Sequence, residues 1–307
     1  MTTSPTTAAS VTPAPPEQAG APAGWLAFRH HREERLAVAH GVLSQVALHW
    51  VDPEAGAQTF AGLPGSWSVE DGLLTVRWRG AELTVLAGSA DVTTDEVAGA
   101  GADGATESTE STESTDPTAG AARVGTVHRA TVTTPGDVRL AAFAEDVQID
   151  VIRRGGRTGL RVLDPQAPRR TAFTHVPTAP YDPSLVLSGT WREQPATVTV
   201  GSALPWLEQH LDSPGVATLE IDGRPVELVL TGTANILFTD EASGSSTPDW
   251  RVVTAEIDGD RLTVDLNRAV AFPAAFSAWA TCPRPPAGNH LPIAALAGEL
   301  RVERTER

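Results

Sequence analysis

The chain has 307 residues, a net charge of −15 and a single cysteine, and all 23 of its basic residues are arginine. The absence of lysine excludes Schiff-base catalysis and a phosphate-binding P-loop, because both need a lysine amine. The acidic balance argues against nucleic acid or an anionic membrane as the main partner. One cysteine permits no internal disulfide, which favours a reducing, cytoplasmic location.

The first 23 residues are rich in threonine, alanine and proline. They have neither the basic start nor the apolar run of a signal peptide, and no stretch of the chain approaches the ~18 apolar residues that would span a bilayer. Such a segment cannot bury enough apolar surface to offset its ordering entropy. We therefore expect residues 1–23 to be a disordered tail.

One amphipathic helix is predicted directly after this tail. Trp25, Phe28, Arg32 and Leu36 recur at helical spacing, and arginine, glutamate and histidine occupy the other faces. The pattern ends near Gly41, a residue type that commonly terminates helices.

Short strands dominate the rest of the chain, and four hairpin turns connect them. Asp-Gly and Gly-Gly pairs favour two-residue turns because both turn positions adopt positive φ. The four turns are Asp71-Gly72, Gly155-Gly156, Asp222-Gly223 and Asp258-Gly259. They predict a mainly β protein with antiparallel pairing, and they leave open whether the sheets form a sandwich or a partly open barrel.

Two segments divide the β region. Residues 88–122 contain a threefold Glu-Ser-Thr repeat, with eight acidic residues and no basic one. We expect a disordered insertion at a surface hairpin tip. A proline-rich connection at 164–184 marks a softer boundary. The prediction is two antiparallel β subdomains, one at 24–165 that includes the helix and one at 166–301.

The C-terminal segment, residues 258–299, combines several unusual features. A strand-like alternation ends at Asn267-Arg268, and a proline-rich stretch that holds Cys282 follows it. We do not expect its prolines to lie inside a helix or a central strand. The stretch nevertheless carries Phe272, Phe276 and Trp279, so we expect it to pack as part of a wall or lid.

Asn267, Arg268 and Asn289 are the candidate ligand-binding residues. Neighbouring residues at a strand end point in opposite directions, so only one of Asn267 and Arg268 can face a given pocket. Arg268 is the expected anchor for an anionic group, because a guanidinium binds carboxylate or phosphate with two hydrogen bonds. The alternative is a buried salt bridge between Arg268 and Glu299.

Cys282, His290 and Glu299 are weaker, catalytic candidates. A reactive thiolate needs a nearby base, which His290 could supply in a hydrolase or transferase. A cysteine between Thr281 and Pro283 is more commonly a small buried apolar residue. No histidine or cysteine pair has the spacing of metal ligands, so no metal site is predicted. The cofactor, if any, and the oligomeric state stay open.

Several segments together resemble the bacterial domain of unknown function 1684 family, and they cover most of residues 25–300. The segments are 43–56, 60–72, 151–173, 238–251 and 262–299. The last is the most specific. It retains the signature residues Asn267, Arg268, Ala269, Pro273, Thr281, Cys282, Pro283, Pro286, Asn289, Leu291, Pro292, Gly298 and Glu299.

The resemblance implies a mainly β, cytoplasmic protein, and it implies no established reaction. The chain also departs from the family pattern. Ala271 stands where the family tends to have asparagine, Ala274 where it has a second cysteine, Gly288 where it has glutamate and His290 where it has arginine. If those polar groups formed a site, this chain is a catalytically diverged paralogue.

Three functions therefore remain open. A small-molecule-binding β protein, or a catalytically diverged paralogue, is favoured because apolar packing lies beside a few convergent polar groups. The second is an enzyme whose site lies near Cys282. The third is a non-catalytic interaction module that uses the tail and the acidic insertion.

Overall fold

The computed structural model describes residues 20–88, 91–97 and 127–302. It begins with helix α1, Ala23–Ala37, which confirms the predicted N-terminal helix. The chain divides into two compact units. The first β unit spans Ala39–Thr171, and the second β unit combines residues 1–38 with residues 172–307.

The first β unit contains two open, antiparallel sheets within the described residues. Their strand orders are β1-β9-β8-β7-β4 and β2-β3-β6-β5. The elements are β1 (Gln45–Val51), β2 (Ser66–Glu70), β3 (Leu73–Arg79), β4 (Thr84–Val85), β5 (Val92–Val97), β6 (Val127–Val132), β7 (Val138–Phe143), β8 (Val147–Arg154), β9 (Arg157–Leu163) and the short helix α2 (Pro168–Thr171).

The core of the first β unit follows from alternation along these strands. Trp67 on β2 pairs with Val76 on β3, and both side chains are buried together with Leu140 and Ile149. The indole nitrogen of Trp67 donates to the carbonyl of Pro64 at 3.1 Å, so its one polar group is satisfied. On β3 the buried apolar side chains Leu74, Val76 and Trp78 recur at every second position, so they share one face of the strand.

Strand β5 lies within the segment 88–122, where we expected only a disordered insertion. It pairs with β6 along its length, from Val92–Val132 to Val97–Val127. The side chain of Val92 is buried, so the acidic composition of the segment conceals one inward-facing position. The Glu-Ser-Thr repeat and residues 1–19 of the tail lie outside the described residues.

The second β unit also has two sheets in the part of the chain that the structure describes. Their strand orders are β12-β11-β10-β16-β15 and β17-β14-β13-β18. The elements are β10 (Val186–Val200), β11 (Gln209–Ile221), β12 (Arg224–Val229), β13 (Asn235–Asp240), β14 (Arg251–Thr254), β15 (Glu256–Asp258), β16 (Arg261–Asp265), β17 (Val270–Ala271), the short helix α3 (Pro273–Phe276) and β18 (His290–Leu291). Pairing is antiparallel except between β13 and β18.

Both sheets of the second β unit contribute to one core. Leu219 and Leu228 come from the first sheet, Phe238 and Val253 come from the second, and all four side chains are buried in the same cluster. Such sharing of inner faces is the packing of a β-sandwich. The strand orders of both sheets are open.

Helix α1 packs on the second β unit, although the predicted boundaries grouped it with residues 24–165. The indole of Trp25 donates to the carbonyl of Asn267 at 2.8 Å and meets Tyr181 edge to face. The carboxylate of Glu33 accepts from the backbone of Val176. These contacts join residues far apart in sequence, which explains why the local pattern did not reveal them.

The four predicted hairpins are present as β2–β3, β8–β9, β11–β12 and β15–β16, which confirms the mainly β, antiparallel fold. Asp71 and Asp222 adopt φ of 51° and 52°, as their turns require. None of the helices in the described ranges is long and apolar enough to cross a membrane.

Glu70 gives the first β unit a pH-dependent contact. Its carboxylate accepts from both terminal nitrogens of Arg77 and from the hydroxyl of Ser68. The hydrogen bonds from Arg77 and then Ser68 lower the pKa of Glu70 from its ordinary 4.5 to about 2. Because this pKa is depressed on folding, the contact stabilises the protein above pH 4.5 and is lost as pH falls from 4.5 towards 2.

We expect Glu70→Gln to lower the free energy of unfolding at pH 6 by less than about 1 kcal/mol, since the pair is partly exposed and screened by solvent. Its difference from the wild type should shrink as pH approaches 2, where Glu70 of the wild type also becomes protonated. Urea unfolding across this pH range measures the trend. The exposed Glu82→Gln variant controls for charge removal, and an undiminished Glu70 difference at low pH would contradict the assignment.

Candidate functional site

The long hairpin of β10 and β11 holds the proline-rich stretch of the C-terminal segment. At the hairpin end, the backbone of Ala203 donates to the carbonyl of Cys282, and the backbone of Arg284 donates to the carbonyl of Gly201, each at 2.8 Å. The side chain of Gln209 donates to the carbonyl of Thr281 at 2.7 Å. The stretch is thereby fixed as a wall of the second β unit.

A cleft of about 700 Å³ opens between this hairpin, the proline-rich stretch and helix α1, and we call it the Arg268 cleft. Its apolar lining comes from Phe28, Leu237, Val252, Val270, Phe272 and Pro283. The polar lining residues are Arg268, His210, Asp212, Thr231, Asn235, Thr254 and Glu256. Its volume and lining are typical of small-molecule sites.

Arg268 is held at this cleft by two contacts. Its Nε lies 3.4 Å from Oδ2 of Asp265, and its guanidinium carbon lies 5.3 Å from the centre of the Phe28 ring. The side chain is 38% exposed. Within the described residues, no hydrogen bond uses its terminal nitrogens, so a carboxylate or phosphate can approach them.

Asn267, the neighbour of Arg268, faces the protein interior. The turn Leu266–Arg268 buries its side chain, whose Oδ1 accepts from the backbone of Asp182 at 2.8 Å. Its Nδ2 donates to the carbonyl of Asp182 and to the carboxylate of Asp265. The amide is thus saturated by protein partners, and of this adjacent pair Arg268 is the residue at the cleft.

Asn289 has a similar structural environment. Its Oδ1 accepts from the backbone of Val229 at 2.8 Å, and its Nδ2 donates to the carbonyls of Val229 and Leu237, each at 2.9 Å. The side chain is buried and links strand β12 to strand β13. It is absent from the lining of the Arg268 cleft.

Glu299 pairs with two arginines of helix α1. Its Oε1 lies 3.0 Å from Nη1 of Arg29 and 3.0 Å from Nε of Arg32, and its side chain is fully buried. Its Oε2 accepts from the backbone of Ala271 at 2.7 Å. The carboxylate therefore anchors the helix and the C-terminal segment to each other, while Arg268 pairs with Asp265.

A second buried ion pair shapes the same region. Nη2 of Arg251 lies 2.7 Å from Oδ2 of Asp240, and neither side chain is exposed. Burial lowers the pKa of the Arg251 guanidinium, and the neighbouring Asp240 carboxylate opposes this shift. Arg251 also donates to the carbonyls of Ala295 and Ala297, so one side chain satisfies an irregular run of backbone.

The three catalytic candidates lie in different surroundings. Cys282 is buried in a cluster with Trp250 and Ala280. The ring of His290 is exposed and contacts Thr239 and Glu241. Glu299 is occupied by the two arginines of helix α1 and by Ala271. Among the described residues, no group of three or more histidine, cysteine, aspartate or glutamate side chains could hold a metal ion.

Residues 171–300 match the family model described as "Protein of unknown function (DUF1684)". The resemblance predicted from the C-terminal signature is thereby confirmed for this part of the chain, which we call the DUF1684 region. The segments 43–56 and 60–72, which also suggested the resemblance, lie outside the matched range.

Other comparisons add little. No curated protein matches the chain. A solution NMR structure of an uncharacterized protein from gene locus rrnAC0354 of Haloarcula marismortui is 23% identical and covers 43% of this chain and 79% of its own, with a TM-score of 0.36.

Within the DUF1684 region, several signature residues have structural partners. Asn267, Asn289 and Glu299 each bind backbone groups of distant segments. The sequence pattern missed Arg29 and Arg32 as partners of Glu299. Their spacing of three residues on one predicted helix face, beside Trp25, was the available signal, because such residues share a surface.

We expect Glu299→Gln to lower the free energy of unfolding by about 3–5 kcal/mol, because it removes the buried carboxylate that pairs with both Arg29 and Arg32. Urea unfolding measures this loss, and faster proteolysis of helix α1 should accompany it. Glu34→Gln on the same helix removes an exposed carboxylate that contacts His30 and should cost less than about 1 kcal/mol. Equal losses in the two variants would contradict the anchoring role.

We expect a thiol reagent to label Cys282 slowly in the native protein and completely after unfolding in urea, because its side chain is buried. Because Cys282 is the chain's one cysteine, the absorbance of the released chromophore reports on this residue alone. Rapid labelling of the native protein would contradict this expectation and would favour the enzyme hypothesis.

Proposed function

We propose that the second β unit binds a small organic acid in the Arg268 cleft. The observation that supports this proposal is the position of Arg268, a cation held at a mainly apolar cleft of about 700 Å³. A buried or half-buried arginine in an apolar setting forms strong, directional hydrogen bonds with carboxylates. The apolar lining would then contact the body of the ligand.

The way in which Arg268 is held supports an anion-binding role. Asp265 contacts Nε and Phe28 contacts the face of the guanidinium, so both partners leave the terminal nitrogens at the cleft. Because the guanidinium is already positioned, a ligand would lose less free energy in ordering it. Phe272 supplies an aromatic surface for an apolar group.

The acidic groups of the cleft narrow the class of ligand. Asp212 and Glu256 line it together with Arg268, so a simple anion would meet repulsion as well as attraction. An organic acid that also carries an ammonium or hydroxyl donor would complement both signs of charge. We therefore infer an amino-acid-like or hydroxy-acid ligand.

The other hypotheses have weaker support. A hydrolase or transferase centred on Cys282 would need an accessible thiolate, and this side chain is buried. An interaction module would depend on residues 1–19 and on the acidic repeat, which lie outside the described residues. We also propose a cytoplasmic location, which is the expectation from the single cysteine.

Native mass spectrometry of the freshly purified full chain is the first test, because a co-purified mass would identify the ligand directly. Saturation-transfer NMR then compares phenylalanine, phenylacetate and phenethylamine. We expect phenylalanine to bind best, since it alone carries both a carboxylate and an ammonium group. Phenethylamine should bind least, because it lacks the carboxylate that Arg268 would bind.

Replacing Arg268 tests its assigned role. We expect Arg268→Gln to weaken phenylalanine binding roughly tenfold or more, which corresponds to the loss of a hydrogen bond to a charged group. Arg224→Gln, an exposed arginine at the start of β12, is the matched control, and thermal unfolding verifies that both variants fold. Equal binding by the two variants, or preference for phenethylamine, would refute the proposal.

A further inference from the structure

A second cleft lies in the same unit, and we call it the Arg284 cleft. It has a volume of about 840 Å³, and its walls include Trp250, Pro248, Ala203 and Ala274. Phe272 lines both this cleft and the Arg268 cleft. The aromatic ring centres of Trp250 and Phe272 lie 6.2 Å apart with their planes tilted by 40°, so they form a bent aromatic surface.

Arg284 is the first cation of this cleft. Its guanidinium carbon lies 4.8 Å from the centre of the Trp250 ring, within the range of cation–π attraction. Its Nε donates to the carbonyl of Ser202 at 3.0 Å. No hydrogen bond within the described ranges uses its terminal nitrogens, so its position is fixed while those two donor groups remain available to a ligand.

Arg301 is the second cation, and a different part of the chain supplies it. Its backbone donates to the carbonyl of Ser246 at 3.0 Å, and its Nη1 donates to the carbonyl of Gly244 at 2.5 Å. Asp249 is the acidic residue of the described lining. Among the described lining residues, two arginines against one aspartate give a net positive charge.

Trp250 also carries an unsatisfied polar group. Its side chain is 95% buried, being 5% exposed, yet its indole Nε1 has no hydrogen-bond partner among the described residues. Buried indole nitrogens usually find an acceptor, because an unsatisfied donor costs free energy. The unsatisfied donor belongs to the same side chain on which Arg284 stacks.

We propose that the Arg284 cleft binds an aromatic phosphate monoester. The phosphate dianion would lie between the guanidinium groups of Arg284 and Arg301, because two cations favour a doubly charged group over a single carboxylate. The ring of the ligand would pack mainly on Phe272, because only 5% of Trp250 is exposed and Arg284 stacks on its ring. This site shares Phe272 with the proposed organic-acid site but uses different cations, Arg284 and Arg301 in place of Arg268.

Phenyl phosphate is the probe, and inorganic phosphate and phenol are its two parts. Titration calorimetry and ³¹P NMR of the full chain should show saturable binding of phenyl phosphate below about 1 mM. Inorganic phosphate should bind at least tenfold more weakly, since it lacks the ring, and phenol should not bind measurably. Equal binding of both phosphates would overturn the aromatic assignment, and the absence of saturable phenyl phosphate binding would overturn the site.

Charge-removing variants locate the binding. Arg284→Gln and Arg301→Gln should each weaken phenyl phosphate binding at least tenfold, and Arg224→Gln should leave it unchanged. The variant Arg284→Gln also loses the contact with Ser202, which could perturb the hairpin. In that case Arg301→Gln still tests the site. Unchanged binding in both cleft variants would overturn the proposal. Because phenylalanine probes the Arg268 cleft separately, failure at one cleft is distinguishable from failure at the other.

Discussion

Burial of an irregular backbone segment requires side chains to replace the hydrogen bonds that a sheet would supply. Four buried polar side chains supply such hydrogen bonds between residues 266–299 and the segments that pack against them. Arg251 binds two carbonyls near the chain end, Asn267 and Asn289 each bind the backbone of a distant segment, and Glu299 binds the backbone of Ala271. Removal of one such partner leaves buried groups unsatisfied, so this network supports the part of the cleft walls that the C-terminal segment contributes.

The same network separates structural residues from candidate ligand-binding residues. Asn267 and Asn289 carry the resemblance to the DUF1684 family, and their amides are saturated by the protein itself. Arg268 and Arg284 lie at clefts, and their terminal nitrogens have no hydrogen-bond partner in the described part of the chain. A signature can therefore mark the scaffold that positions a site as well as the site's own chemistry. Here the geometry assigns the two asparagines to the scaffold.

Local turn chemistry made much of the fold predictable. Pairs such as Asp71-Gly72 specify a hairpin within four residues, and the alternation beside them specifies which side chains are buried. The location of helix α1 was not predictable, because it depends on the ion pairs between Glu299 and Arg29 and Arg32, which are 267 or more positions away in sequence. Strand β5 was missed for a related reason. Its pairing with β6 and the burial of Val92 outweigh an acidic composition that is typical of disorder.

The exclusive use of arginine is consistent with these roles. A lysine amine is a compact point charge, whereas a guanidinium has Nε on one side and two terminal nitrogens on the other. Arg284 uses Nε to bind the backbone, and Arg268 places Nε beside Asp265, so the terminal nitrogens of both residues keep no hydrogen-bond partner among the described residues. A lysine at either position could satisfy its protein partner or a ligand, but it could not hold a fixed orientation between the two. The separation of an anchoring nitrogen from the ligand-facing nitrogens is therefore the physical basis for placing both candidate sites at arginines.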